Sequence, residues 1–312
     1  MATLHVPVLL SEVVEALAVK SGRRYLDGTA GGGGHSEAIL KASEPDGRVL
    51  ALDRDPAAVE RVRNRLRAWG DRVTVVQSNF SELETCAKRW GFDNLDGILL
   101  DLGLSSDQLS ERKRGFSFQE DGPLDMRMNP SDSVCAADLV NRSEEGELSE
   151  LLWQLGEERD SRRIAAAIVQ DRDDHPFETT AELASLVARV KGNRRRGRIH
   201  PATKTFQALR MRVNREMESL EQGLDAAMQV VRPGGRVAVI TFHSLEDRMV
   251  KQAFRRHAGR MVSLPEGGER WEGRLPKMRR ITRKPITASQ AELESNPRAR
   301  SAKLRVVERV ND

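Results

Sequence analysis

Four consecutive glycines, Gly31 to Gly34, stand between a short strand pattern ending at Asp27 and a helical pattern opening at His35. Glycine at a strand-to-helix turn lets the backbone approach a ligand closely, and such a turn is typical of the first crossover in a parallel α/β sheet. The surrounding sequence has the matching rhythm. Arg24 to Asp27 predicts a strand, His35 to Lys41 a helix, and Arg48 to Asp53 a buried strand. Pro56 to Trp69 predicts a helix with Asp55 as N-cap and Pro56 at its first position. Strands follow at Arg72 to Val76 and Asp96 to Leu102. Strands alternating with helices imply a parallel sheet with right-handed crossovers.

After the fourth strand the rhythm breaks. The next strand pattern, Arg236 to Phe242, follows the turn Arg232-Pro233-Gly234-Gly235. An ordinary crossover needs roughly 30 residues, and far more intervene here, carrying helical patterns at Glu147 to Gly156, Ser161 to Val169, Thr180 to Val190 and Phe206 to Val231. A helical domain inserted over residues 109–209 accounts for them, between sheet-forming parts at 1–108 and 210–312. Leu304 to Val310 reads as an antiparallel edge strand.

The glycine loop can be tested against strict patterns. A nicotinamide loop needs G-x-G-x-x-G, and Ser36 stands where the last glycine should. A P-loop needs a lysine after its glycines, and none is present. The arrangement that fits is an acid closing the strand, three residues, then Gly-x-Gly, here Asp27 followed by Gly31 and Gly33. That is the S-adenosylmethionine form of the loop. Asp53 closes the second strand 22 residues after Gly31, where a carboxylate can accept both ribose hydroxyls. Asp55 is better placed to cap the following helix. Phe80, just after the third strand, is expected beside the adenine.

Charge and composition narrow the partners. From Arg189 to Arg215 there are ten Lys or Arg and no acid; from Arg248 to Lys284 there are twelve against three acids. The net charge of +4 therefore hides a segregation that suits a polyanion. Arg194, Arg195 and Arg196, in the densest part of the first run, are expected to contact phosphate. The segment from Leu102 to Arg127 leaves the sheet toward the insertion, so Arg114 and Arg127 are expected near RNA, salt bridges being the alternative. Two cysteines, Cys86 and Cys135, cannot form a disulfide framework or a four-thiolate zinc site. No His/Cys/carboxylate cluster has ligand spacing, so no metal is expected. Neither a membrane span nor a basic-headed signal sequence is visible. A cytoplasmic protein without membrane association is expected.

Several segments together resemble a known family. They are His5-Val6-Pro7-Val8-Leu9-Leu10-Ser11-Glu12-Val13, Gly33-Gly34-His35-Ser36, Leu52-Asp53-Arg54-Asp55-Pro56, Asp101-Leu102-Gly103-Leu104-Ser105-Ser106-Asp107-Gln108-Leu109, Arg114-Gly115-Phe116-Ser117-Phe118, Pro123-Leu124-Asp125-Met126-Arg127-Met128 and Thr241-Phe242-His243-Ser244-Leu245-Glu246-Asp247-Arg248. In order and across essentially the whole chain, they resemble the bacterial small-subunit ribosomal RNA methyltransferase H family, which is MraW-like. The resemblance implies a class I, Rossmann-like methyltransferase sheet with an inserted helical substrate-recognition domain. It implies an enzyme that methylates N4 of a cytidine in the decoding region of 16S rRNA, within a nearly assembled small ribosomal subunit. Cofactor contacts carried over by motif are Gly33, Gly34, His35, Asp53, Phe80, Asp101 and Gln108, beside Gly31 from the loop pattern. A homodimer is compatible with this reading.

Methyl transfer to an amine is an in-line displacement, and a cytosine amine is a poor nucleophile. An acceptor for its hydrogens would localise the lone pair and take up developing positive charge. At the end of the fourth strand the chain reads Asp101-Leu102-Gly103-Leu104-Ser105-Ser106. Asp101 is the candidate acceptor, with Ser105 and Ser106 nearby; a purely cofactor-binding Asp101 is the alternative. His243, at the end of the fifth strand, is a second candidate for binding or proton removal, against a structural turn residue. A stacking partner for the base would come from Phe116 or Phe118. The sequence disfavours two other classes. A nucleotide-dependent oxidoreductase fails the glycine pattern, and a non-catalytic RNA-binding factor gives no reason for Asp27, Gly31, Gly33 and Asp53 to be intact.

Overall fold

The computed structural model describes residues 7–192, 200–264, 266 and 268–310. Packing divides the chain into two units, Met1–Gly103 with Glu218–Asp312, and Leu104–Met217.

The first unit begins with α1 (Leu10–Ala16), β1 (Arg24–Asp27), α2 (Gly34–Ala42), β2 (Arg48–Asp53), α3 (Pro56–Leu66), β3 (Val73–Gln77), α4 (Leu83–Arg89) and β4 (Leu95–Asp101). Val49 to Leu52 and Ile98 to Leu100 are fully buried. Continuous rather than alternating apolar residues are what strands covered on both faces require. At the start of α3 the Asp55 carboxylate accepts from the Ala57 N–H at 3.0 Å, with Pro56 occupying the first turn.

The second unit is built from α5 (Ser106–Ser110), α6 (Ala136–Arg142), α7 (Glu145–Gly156), α8 (Ser161–Asp174), α9 (Thr180–Val190) and α10 (Thr203–Val213). Its own core gathers Leu124, Val140, Leu148, Leu152, Ile164, Ile168, Leu183, Val187, Phe206 and Leu209. The single helix expected over Phe206 to Val231 is two, α10 and α11 (Glu216–Val230). The break has a visible cause. Asn214 is fully buried; its side-chain oxygen accepts from the Met128 N–H at 2.8 Å, and its amide donates to the Met126 carbonyl at 2.7 Å. Arg215 then turns left-handed, at φ 49°. Asn214→Ala would strand two buried backbone groups, each costing about 1–3 kcal/mol. We expect a loss of about 2–4 kcal/mol in the unfolding free energy of this unit, read by denaturant titration.

After α11 the chain returns to the sheet through β5 (Val231–Thr241), α12 (Ser244–Ala258), β6 (Arg260–Ser263), β7 (Glu269–Glu272), β8 (Met278–Arg280), α13 (Gln290–Ser295) and β9 (Lys303–Arg309). The turn expected at Arg232 to Gly235 is an irregularity inside β5: Val231 pairs with Leu95, and pairing resumes at Gly97 with Arg236.

The seven-stranded sheet has the order β3-β2-β1-β4-β5-β9-β8. Its first five strands are parallel, and β9 runs antiparallel to both β5 and β8. The edge strand expected at Leu304 to Val310 is thus an interior strand, because β8 covers its outer side. The sequence of β8, Met278-Arg279-Arg280, carries no apolar alternation and lies hidden within a basic run. Strand order reverses between β1 and β4, and at such a switch point the carboxyl ends of the strands open a crevice.

Candidate active site

The carboxyl ends of β1, β2 and β4 each finish in an aspartate, Asp27, Asp53 and Asp101. Asp27 is fully buried, accepting from the Ser36 hydroxyl at 2.6 Å and the Thr29 N–H at 3.2 Å. Desolvation pushes its carboxyl up to about 6. The acid of the loop pattern therefore braces the loop from beneath, tying its start to the first turn of α2.

Asp53 holds the other side. Its Oδ2 accepts from the Gly31 N–H at 2.8 Å and its Oδ1 from the Asp55 N–H at 2.9 Å. Burial again dominates and raises the carboxyl to about 6. Gly33, at φ 78°, turns the chain into α2. A Cβ on Gly34 would lie 2.2 Å from Pro7 Cγ, so a larger residue there requires movement of the N-terminal segment. Phe80 follows β3 and rests on Gly223 of α11, where a Cβ would come within 2.4 Å of its ring.

Asp101 closes β4, on the other side of β1 from Asp53. His35 Nδ1 is 3.5 Å from its Oδ2, and His35 Nε2 is 3.0 Å from the Val8 carbonyl. A carbonyl only accepts, so Nε2 carries the imidazole hydrogen and Nδ1 faces Asp101 with its lone pair. Burial holds the ring neutral, with its pKa down at about 4. Burial first, and the Asp27 carboxylate second, push Asp101 well above the ordinary range. Its Oδ1 is buried with no hydrogen-bond partner among the described residues. An orphaned acceptor at the mouth of a glycine loop suits a cofactor or substrate that brings a donor. Its backbone N–H donates to Thr29 Oγ1 at 2.6 Å.

His243 caps α12, its Nδ1 accepting from the Glu246 N–H at 3.4 Å. Nearly buried Glu246 lies 3.1 Å from its Nε2 and accepts from the Phe242 N–H at 2.8 Å. Glu246 also raises Asp101 through its charge. Sequence reasoning gave Glu246 and Thr29 no role. Glu246 stood three residues after a capping histidine, a spacing that signals a capping box; nothing marked Thr29.

Ser105, Ser106 and Gln108 belong to the second unit. Ser105 Oγ accepts from the Gln108 N–H at 3.2 Å, and Gln108 Oε1 accepts from the Ser105 N–H at 3.0 Å, a reciprocal cap on α5. Arg114 donates to the carbonyls of Arg127 and Met128 at 3.0 and 2.6 Å. Arg127 grips Asp125 through two hydrogen bonds of 2.9 and 2.6 Å. Both guanidinium groups organise the loop preceding α6. Phe116 is buried, and Phe118 packs between His200 and Phe206 at 4.6 and 4.8 Å. Arg194, Arg195 and Arg196 lie outside the described residues. No helix among the described residues is long and apolar enough to cross a membrane.

A β3-β2-β1-β4-β5-β9-β8 sheet, with a glycine loop held between Asp27 and Asp53 at its carboxyl edge, defines a Rossmann-like methyltransferase. The sequence pattern of the MraW methylase family matches residues 2–310, and the chain belongs to that family. The chain is 52% identical over 310 residues to Ribosomal RNA small subunit methyltransferase H of Thermomicrobium roseum, covering 99% of this chain and 95% of the relative. It is 50% identical to the protein of the same name from Syntrophobacter fumaroxidans, covering 98% and 96%. For that of Symbiobacterium thermophilum the identity is 49%, over 98% and 97%. The protein is a methyltransferase, and S-adenosylmethionine is its methyl donor.

A consequence for pH follows from Asp53. If Asp53 accepts the ribose hydroxyls of the cofactor, the bound state favours the ionised acid over a free state in which it titrates at about 6. Affinity is then full above that pH and is lost as pH falls through it, by up to about tenfold per unit for one group. Calorimetry at pH 6 in buffers of different ionisation enthalpy should show proton release on cofactor binding.

Proposed function

We propose that the protein methylates the exocyclic N4 of a cytidine in the decoding region of 16S rRNA, on a nearly assembled small subunit in the cytoplasm. The observation that carries this reading is the buried, partnerless Oδ1 of Asp101 beside the glycine loop. The names of the relatives supply the ribosomal RNA, and the resemblance of the sequence motifs supplies the atom.

In this reading Gly31, Gly33, Gly34, His35, Asp53, Phe80, Asp101 and Gln108 hold the cofactor, which brings an electrophilic methyl group on a sulfonium. Asp53 takes the ribose hydroxyls. Phe80 lies along the adenine, kept in place by the bare backbone of Gly223. Asp101 Oδ1 accepts a hydrogen from the target amine and localises the nitrogen lone pair. As nitrogen bonds the methyl carbon and the carbon–sulfur bond breaks, the amine becomes cationic and sheds one proton, first to Asp101 and then to water. His35 Nδ1 lies 3.5 Å from Asp101 and stays neutral, so it faces the protonated acid as a hydrogen-bond acceptor while the proton itself leaves to water. His243 contributes by positioning: it caps α12 and seats Glu246. Ser105 and Ser106 shape the start of α5. The inserted unit, Leu104–Met217, recognises the substrate. RNA contacts by Arg114 and Arg127 are secondary to their loop-holding role, and those of Arg194, Arg195 and Arg196 rest on charge alone.

The test is incubation with labelled S-adenosylmethionine and small subunits from cells lacking the matching activity, followed by nucleoside analysis. Label in N4-methylcytidine supports the reading. Label in another nucleoside keeps the enzyme class and removes the assignment of atom and site.

A further inference from the structure

The second basic run, Arg248 to Lys284, has no part in the site described above. Helix α12 buries one stripe, Glu246, Val250, Ala253, Phe254 and His257. Its opposite side exposes Arg248, Lys251, Arg255 and Arg256. Asp247, the remaining acid of this helix, is turned aside onto Arg305 at 2.7 Å. Lys251 and Arg255 are one turn apart, a spacing at which like charges repel and destabilise a helix. Elsewhere in this segment cations are neutralised: Arg260 by Glu272, Arg274 by Asp225 and Arg279 by Glu308. Lys251, Arg255, Arg256, Arg270 and Arg280 have no acidic partner among the described residues.

Lys251, Arg255 and Arg256 share the outer side of α12, away from its buried stripe. The hairpin of β6 and β7 is fastened to the end of α12, where the Arg274 N–H donates to the Arg256 carbonyl at 2.8 Å. Trp271 leaves no room for a side chain at Gly259, whose Cβ would lie 2.4 Å from the indole. In β8, Met278 packs into the core beside Val250, Ala253 and Phe254 of α12. Arg280, two residues on in an alternating strand, emerges on that same side of the sheet.

The geometry points to the outer side of α12, with Arg280 beside it, as a phosphate-binding face for RNA held outside the catalytic crevice. The inference rests on the ribosomal RNA reading. A helix with four exposed cations and no exposed acid matches a polyanion, and the absence of an aromatic residue among those cations matches backbone contact rather than base stacking.

The test uses the full chain and a 16S rRNA fragment spanning the decoding region, with affinity measured from 50 to 200 mM salt. In the triple variant Lys251→Ala, Arg255→Ala, Arg256→Ala, three lost phosphate contacts should reduce the slope of log K against log salt by about 2–3. Over that salt range the unaltered chain should then lose about 15- to 65-fold more affinity than the variant. S-adenosylmethionine affinity, measured alongside, should not change, which reports an intact fold. An unchanged salt slope with RNA still bound would remove this face and leave the rRNA reading standing. Failure of the unaltered chain to bind either the fragment or assembled small subunits would remove both. An unchanged slope combined with lost methylation of assembled subunits would assign the face to a ribosomal protein and overturn RNA as its partner.

Discussion

Asp53→Ala should weaken S-adenosylmethionine binding by about 10²–10³-fold, measured by calorimetry at pH 7.5. Two hydrogen bonds from ribose hydroxyls to a carboxylate are lost, together worth about 3–4 kcal/mol, and each 1.4 kcal/mol is tenfold in affinity. The same substitution frees the Gly31 and Asp55 N–H groups, which the carboxylate holds at 2.8 and 2.9 Å. Asp53→Asn keeps the size but places an amide donor against one of those N–H groups, so its affinity should fall between the two. Equal affinity of Asp53→Ala and the unaltered chain would exclude Asp53 from the ribose. Because Asp53 is tied to the loop and not to the reacting atoms, turnover at saturating cofactor should change much less than affinity.

The second large effect belongs to Asp101. Asp101→Ala should lower kcat by about 10²–10³-fold at saturating cofactor, the range found when one preorganised electrostatic contact to a transition state is removed. Unchanged turnover would confine Asp101 to cofactor binding. The pH profile gives an independent reading. The ionised carboxylate is the acceptor, and burial with the Asp27 charge raises its pKa. Turnover should therefore fall as pH drops through that raised value. Asp27→Asn removes the like charge, so Asp101 should ionise more easily and the acidic limb should move to lower pH. No shift of the limb would mean that another group sets it.

The glycine loop, its two anchoring aspartates and the first four strands were legible because each depends on local sequence. A strand closed by an acid, a turn needing glycine and an N-cap at Asp55 leave marks within a dozen residues. What was not legible depends on distant partners. The division of α10 from α11 is made by Asn214 reaching Met126 and Met128, more than 80 residues away. Strand β8 is three residues, two of them arginines, and exists because β9 offers it an edge. His243 was legible as a candidate for binding or proton removal with a structural turn residue as the alternative; its cap on α12 and its contact with Glu246 were not. The pairing of Arg127 with Asp125 was visible as an alternative, since two residues separate them. The carbonyl grip of Arg114 was not, because backbone acceptors leave no trace in side-chain sequence.

The place of β9 inside the sheet sets an order of events during synthesis. Leu304, Val306 and Val307 are fully buried, and β9 supplies the only pairing partner of β5 on that side. The sheet cannot close until residues 303–309 have left the ribosome. Leu104–Met217 is one continuous stretch with its own core, so it can fold while the rest of the sheet is still being made. Strands β1 to β4 must meanwhile wait with an open edge at β4, the condition under which nascent sheets mispair. The chain thus carries its greatest exposure to misfolding in the interval between translating residue 103 and residue 309.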